Sequence, residues 1–445
     1  MRKGFSGFLS ITLILLFACG AEEEGVSDIN ALAITIDGSA VSDGINEVTL
    51  NPQIAINFDV AIVRENIEAQ ISIQTDGVTP GFNLQLTNAD SRAVITLELE
   101  PDTEYVFQLS AAAIGVKQEV LSEAITIEMK TSTTLIAACT TASEDCLGTI
   151  SFNQGEYALS YYANYGLGTD VELTQITNAL ILVHGANRNN DEYFTWMNAS
   201  YSELSASVNT LLIAPQFKAQ SETSESNELY WSSNNWREGN DTQNAFKISS
   251  FSVIDSLVKQ ITTKAPNVEK IVITGHSSGG LFTHAYAVAN RVASQLDYVQ
   301  MEYIVANSQY FYYPNAERVN EATNQFFIPS DCNGYDAWPL GFANTPTYLS
   351  DIEKAQADNN LKERNITYLL GNGNQSDPSL NTTACSATLL GSTRYQRGEN
   401  IFFTVEQKFS ENNSSRVIVE GIGHNGEAIY KSTEFKDLLS DLFNL

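Results

Sequence analysis

The sequence predicts a mostly parallel β-sheet flanked by helices over residues 149–445, preceded by a small all-β sandwich over residues 29–131. Three observations carry this. Residues 29–131 contain short runs in which apolar and polar side chains alternate, the period of a strand with one face in a core. From residue 179 onward, continuous apolar runs alternate with segments of helical periodicity, as a sheet covered on both faces requires. One such run, Val268–Thr274, passes through Gly275-His276-Ser277-Ser278-Gly279 directly into a helical segment.

In chain order, residues 1–18 read as a targeting segment. Arg2 and Lys3 form a basic start, and Phe8 to Phe17 form an apolar stretch too short for a comfortable membrane span. Leu16-Phe17-Ala18-Cys19 resembles a bacterial lipobox, whose cysteine is lipidated and becomes the first residue; plain secretion is the alternative. Residues 19–28 form a short acidic tether. The sandwich strands follow at Leu32–Ile36, Gln53–Phe58, Ala93–Leu97 and Tyr105–Leu109, and their spacing implies about seven antiparallel strands. The order resembles a bacterial Ig-like domain. Asn51-Pro52 precedes one Ile-x-Ile-x-Phe strand, Leu99-Glu100-Pro101-Asp102-Thr103-Glu104-Tyr105 leads into another, and Ile125-Thr126-Ile127 closes the unit before Lys130-Thr131. With no histidine or cysteine, this unit reads as a spacer, and a glycan- or surface-binding module is the sharper alternative. Residues 132–148 form a linker rich in Thr, Ser and Ala.

Beyond the linker, Tyr157–Tyr162 predicts an antiparallel edge hairpin. Apolar strand cores fall at 179–183, 211–214, 270–274, 303–306, 367–370 and 417–419. Helical periodicity falls at 245–263, 280–294, 347–358, 394–410 and 428–443.

The charge balance narrows the function classes. A formal net charge of −29 repels a phosphate backbone, which sets nucleic acid aside. Apart from Cys19, the cysteines are Cys139, Cys146, Cys332 and Cys385, an even number in a chain read as exported. Of the three possible pairings we favour Cys139–Cys146, a local loop, and Cys332–Cys385, which would tie two longer loops together. No cysteine spacing fits a zinc motif, and no metal or organic cofactor is implied.

The chemistry centres on Gly275-His276-Ser277-Ser278-Gly279. A G-x-S-x-G run between a strand and a helix raises its serine on a tight, strained turn at the helix N-terminus, where amides can stabilise negative charge. Ser277 is therefore the candidate nucleophile. The chain has four histidines. His184 ends a strand, His276 should point away from Ser277, and His284 lies two turns down the following helix. His424 remains, in Gly421-Ile422-Gly423-His424-Asn425-Gly426 after the last apolar strand. It is the candidate base.

Residues 175–445 are similar to a group of secreted microbial α/β-hydrolases. The likeness rests on Val183-His184-Gly185, Gly275–Gly279, Tyr335-Asp336-Ala337-Trp338-Pro339-Leu340-Gly341, Tyr368-Leu369-Leu370-Gly371 and Gly391-Ser392-Thr393-Arg394-Tyr395-Gln396-Arg397-Gly398. It implies an α/β hydrolase fold, with oxyanion donors at the Ala186 and Ser278 backbone amides. It also implies an acid three residues after the Leu-Gly pair, where this chain has Asn374. Asp377, in the same loop, is the leading substitute, and Asp336 the second. Trp231 and Trp236 stand on the carboxyl side of the sheet, either walling a substrate pocket or anchoring a loop; the Tyr310–Tyr313 cluster has the same two readings. The reading is an exported serine esterase acting on an ester substrate, meeting the membrane only through a lipid anchor. A non-catalytic binding protein on a hydrolase scaffold is the alternative, and an adhesive Ig-like domain is a third.

Overall fold

The computed structural model describes residues 27–443, apart from 43, 78, 101–102, 132–137, 169–172, 174, 205–208 and 297. The expected targeting segment at residues 1–18, Cys19 and residues 132–137 of the expected linker lie outside these residues.

The alternating runs near the N-terminus form two facing sheets around one core, with Ile54, Ile56, Phe107 and Ile127 among its members. One sheet orders Ser39–Ala40, Ala31–Ile36, Gln53–Phe58, Arg92–Leu97 and Phe82–Thr87. The other orders Ile45–Val48, Ile125–Thr131, Glu104–Leu109 and Ile71–Gln74. Along Glu104–Leu109 every second residue is buried, as the pleat dictates. The hydroxyl of buried Tyr105 accepts the Glu100 amide at 2.8 Å, pinning the chain where it turns into that strand. Two features depart from the expectation. Ile125–Thr131 pairs parallel with Ile45–Val48, and four two-residue strands raise the count to twelve among the described residues. Pieces so short carry no periodic signal.

The second unit is an eight-stranded sheet: β1 (Leu147–Phe152), β2 (Tyr157–Ala163), β3 (Asn178–Val183), β4 (Thr210–Pro215), β5 (Lys270–His276), β6 (Gln300–Ala306), β7 (Asn365–Gly371) and β8 (Ser414–Val419). Its order is β1-β2-β4-β3-β5-β6-β7-β8. Strand β2 pairs antiparallel with both neighbours, and all pairs from β4 to β8 are parallel. The longer helices are α1 (Asn190–Tyr201), α2 (Ser250–Lys264), α3 (Ser278–Ala289), α4 (Lys354–Glu363), α5 (Arg394–Lys408) and α6 (Thr433–Phe443). All six residues of β3 are buried. Ile181 and Val183 point into the core shared with α2 and α3, whereas Leu180 and Leu182 join that of α1 and α6. A central strand covered on both faces must be apolar throughout. This strand order and these crossovers are those of an α/β-hydrolase fold.

Helix α1 is missing from the sequence expectation. Its apolar stripe of Tyr193, Phe194, Met197 and Tyr201 is interrupted by buried Asn190 and Ser200, which donate to Ala214 O at 2.9 Å and Tyr430 O at 2.7 Å. The expected helix at 428–443 is broken into Gly426–Tyr430 and α6. Both disulfides have the pairing read from the sequence, Cys139–Cys146 and Cys332–Cys385.

Candidate active site

Strand β5 delivers the chain to Ser277 and α3 takes it away. The turn between them is tight because backbone meets backbone. A Cβ on Gly275 would lie 2.3 Å from Gly279 O, and one on Gly279 would lie 2.2 Å from Val183 O. Ser277 adopts φ 61°, ψ −114°, a strained conformation for a residue with a side chain. Its amide donates to Ala306 O at 3.0 Å, which hangs the turn on β6. The first α3 bond runs from Leu281 N to Ser277 O, so the Ser278 amide has no acceptor within the helix.

Across the site, β3 ends at His184-Gly185-Ala186. His184 is fully buried, and its Nε2 accepts the Phe217 amide at 3.0 Å. Nδ1 must then carry the proton, which it donates to Gly185 O at 2.8 Å. Burial pushes this imidazole down to about 4. The pinned neutral ring fixes the turn that carries Ala186, closed by the Arg188 amide on Gly185 O at 3.1 Å.

His424 hangs from the loop after β8, three strands away from β5 in the sheet. The loop reaches back far enough for its ring to stack on that of His276, with centroids 4.8 Å apart and planes at 19°. His276 therefore lays its ring against the candidate base. The His424 Nε2 is buried and has no hydrogen-bond partner among the described residues, so no bond joins it to Ser277. On the other edge, Nδ1 stands 3.4 Å from Asp377 Oδ2. Burial, and then the Arg394 charge, hold His424 at about 4, against the opposing pull of Asp377.

Asp377 is almost fully buried. Its Oδ1 accepts the Ser379 hydroxyl at 2.6 Å and the Ser379 amide at 2.9 Å, and its Oδ2 accepts Arg394 Nε at 2.5 Å. Burial alone would raise this carboxyl. The bonds from Ser379 and Arg394 and the Arg394 charge outweigh it and hold the group well below the usual carboxylate range. Asn374, at the position where the family resemblance implies the acid, instead accepts the Ser376 amide at 3.0 Å and turns the loop towards Asp377. The runner-up, Asp336, stays in the turn closed by the Ala343 amide on its carbonyl, and it is not the carboxylate facing His424.

Three contributors were missed from sequence. Asn307, at the end of β6, accepts the Gly371 amide at 2.9 Å and donates to Gly423 O at 3.0 Å, stitching the loops that carry Asp377 and His424. Arg394 opens α5 within the Gly391–Gly398 motif, and Ser379 lies beside Asp377. No local pattern reveals the Asn307 and Arg394 pairings, which join segments far apart in the chain. The tryptophan pocket wall is corrected by burial. Trp231 and Trp236 are each 1% exposed. Trp236 stacks on Phe217 at 5.4 Å and lies 4.7 Å from His184, while Trp231 donates to Asn240 O. Both anchor loops. Phe311, Tyr312 and Tyr313 are buried likewise, and only Tyr310 is partly open, 5.8 Å from the Arg237 guanidinium.

Comparison with known proteins bears on the two units separately. Residues 30–131 match the family model of a bacterial Ig-like domain. The N-terminal unit is Ig-like. No curated protein matches the chain. Among solved structures, it is similar to LpqC, a poly(3-hydroxybutyrate) depolymerase from Bordetella parapertussis, at 16% identity and a TM-score of 0.47, over 66% of this chain and 89% of that one. It is similar to poly(aspartic acid) hydrolase-1 from Sphingomonas sp. KT-1 at 18% identity and 0.45, over 64% and 95%. An IroE-like serine hydrolase from Shewanella oneidensis matches at 12% identity and 0.36, over 66% and 80%.

Proposed function

We propose that this chain is a serine hydrolase that cleaves carboxylic esters. Ser277 attacks the ester carbonyl, His424 Nε2 takes its proton and passes it to the leaving alcohol, and water then hydrolyses the acyl-enzyme. Asp377 holds the Nδ1-protonated tautomer of His424, and the Ala186 and Ser278 amides receive the oxyanion. One observation carries this reading. The strained Ser277 turn is met by an imidazole laid on the adjacent His276 ring, with an acid on its Nδ1 edge and an unpartnered Nε2. Serine–base contacts are often long before substrate binds, so the missing Ser277–His424 bond is compatible with it.

The disulfides and the Ig-like unit fit a protein working outside the cytoplasm, with Cys19 as the site of a lipid anchor. The Ig-like unit then spaces the hydrolase from the membrane.

Reaction with a fluorophosphonate probe tests the nucleophile. We expect the wild-type chain to label and Ser277→Ala not to, with unchanged circular dichroism. One observation favours the binding-protein alternative: Asp377 Oδ2 lies closer to Arg394 Nε, at 2.5 Å, than to His424 Nδ1, at 3.4 Å. A wild-type chain that fails to label would decide for that alternative. Nitrophenyl esters of graded chain length would then define the acyl group of an active enzyme.

A further inference from the structure

The Gly391–Gly398 motif supplies an arginine that the proposed reaction does not use. Arg394 is 5% exposed although charged. It gives Nε to Asp377 Oδ2 at 2.5 Å, Nη2 to Ser379 Oγ at 2.9 Å and Nη1 to Asn307 O at 3.3 Å. Ser379 passes the contact on, since its hydroxyl accepts from Arg394 and donates to Asp377 Oδ1 at 2.6 Å. The carboxylate is thus gripped on both oxygens before the histidine is counted. Its Oδ2 is shared between a guanidinium at 2.5 Å and an imidazole at 3.4 Å.

We infer that Arg394 is a positioning residue that clamps Asp377 in line with His424 and draws off part of that carboxylate's charge. This rests on reading Asp377 and His424 as acid and base. Two consequences follow from the geometry. Asp377 cannot rotate away when His424 moves towards substrate, because Ser379 and Arg394 hold it without the histidine's help. Its ability to attract a proton onto His424 is also weakened, because a fixed cation lies closer to the same oxygen. Burial, and then this cation, keep the base neutral, and able to accept the serine proton, in acid where an ordinary imidazole is protonated.

The groups facing His424 are few. His276 stacks on it from the end of β5, with Tyr193 of α1 behind His276 at 3.4 Å. Asp377 and Ser379 face Nδ1 from the loop after β7, and Arg394 stands behind them on α5. Arg237 acts from farther off, on Arg394. Burial and the Arg394 charge both oppose the imidazolium, and Asp377 alone favours it. Removing Arg394 therefore frees Asp377 to stabilise the imidazolium.

The test uses the full chain with Ser277→Ala, so it requires no turnover. With four histidines, the His424 ring signals can be followed by NMR from pH 3.5 to 8 and assigned by their loss in His424→Gln. Added Arg394→Met should raise the His424 midpoint by at least about one pH unit, a tenfold gain in proton affinity. Arg394→Gln gives the same reading if the methionine variant does not fold. Arg394→Lys keeps the charge and should leave the midpoint near that of the parent. Superimposed titrations with and without Arg394 would overturn the inference, as would a lysine variant that shifts as far as methionine. Either result leaves the hydrolase reading intact. Absent fluorophosphonate labelling would remove that reading and leave this titration unchanged.

Discussion

Asp377 is the residue at which two requirements meet. In the proposed reaction it orients His424, and it also neutralises a guanidinium that is itself almost fully buried. Asp377→Asn therefore tests more than the acid's role. Turnover should fall by about a thousandfold to ten-thousandfold, because an amide no longer fixes the tautomer or stabilises the imidazolium. Stability should fall as well, by about 3–5 kcal/mol, because Arg394 is left as a buried charge without its partner. Ester hydrolysis and urea unfolding, measured on one preparation, check both. An aspartate serving only the histidine would lose activity with little change in the unfolding midpoint. At this scale chain order and elimination single out Ser277 and His424 in the sequence as candidates. It was silent on Arg394 and Asn307, whose partners lie in other loops and are joined only by the folded sheet.

Helix α3 shows how an element can be committed to one position. All twelve of its residues are buried, so it has no solvent face and no amphipathic pattern. Its glycine-rich first turn lets it lie against β3 and β5 without intervening side chains. Gly279→Ala would drive a methyl to 2.2 Å from Val183 O and 2.7 Å from His184 O, both backbone atoms of the strand carrying the Ala186 turn. Overpacking of this kind costs about 1–3 kcal/mol. It should also move the Ser278 amide relative to the Ala186 amide. We expect probe labelling to slow at least tenfold while Tm falls modestly; labelling at the wild-type rate would mean that the two amides do not act together. The strands were legible from sequence because central strands of such a sheet carry continuous apolar runs, as Ala179–Val183 of β3 and Ile271–Ile273 of β5 do. Helix α1 was not, because buried Asn190 and Ser200 break its stripe and are reconciled with the core only by hydrogen bonds to distant carbonyls.

Across the whole molecule, acid sensitivity should be pronounced. Burial holds His184 at about 4, His284 at about 3, His424 at about 4 and His276 well below its ordinary value. Between about pH 6.5 and pH 4 the unfolded chain takes up protons on these rings and the folded chain does not. Their stabilising contribution is thus complete above 6.5 and is lost as pH falls towards 4. Thermal unfolding scans from pH 8 to 4 should show Tm steady above about 6.5 and falling below it; a flat Tm would contradict the burial of these rings. The two disulfides should differ in weight. Cys332–Cys385 spans 53 positions and Cys139–Cys146 spans 7. Closing the longer loop is worth about 4 kcal/mol, and the shorter about 2.5, on chain entropy alone. Paired Cys→Ser variants compared by urea denaturation would show that ranking. The longer bridge also bears on where the protein can be manufactured. Cys385 follows the segment holding Asp377 and Ser379, and Cys332 lies in the excursion between β6 and α4. In a host that keeps thiols reduced, the segment holding Asp377 would lack its covalent tether. An inactive batch from such a host would report on the expression compartment before it reported on the proposed activity.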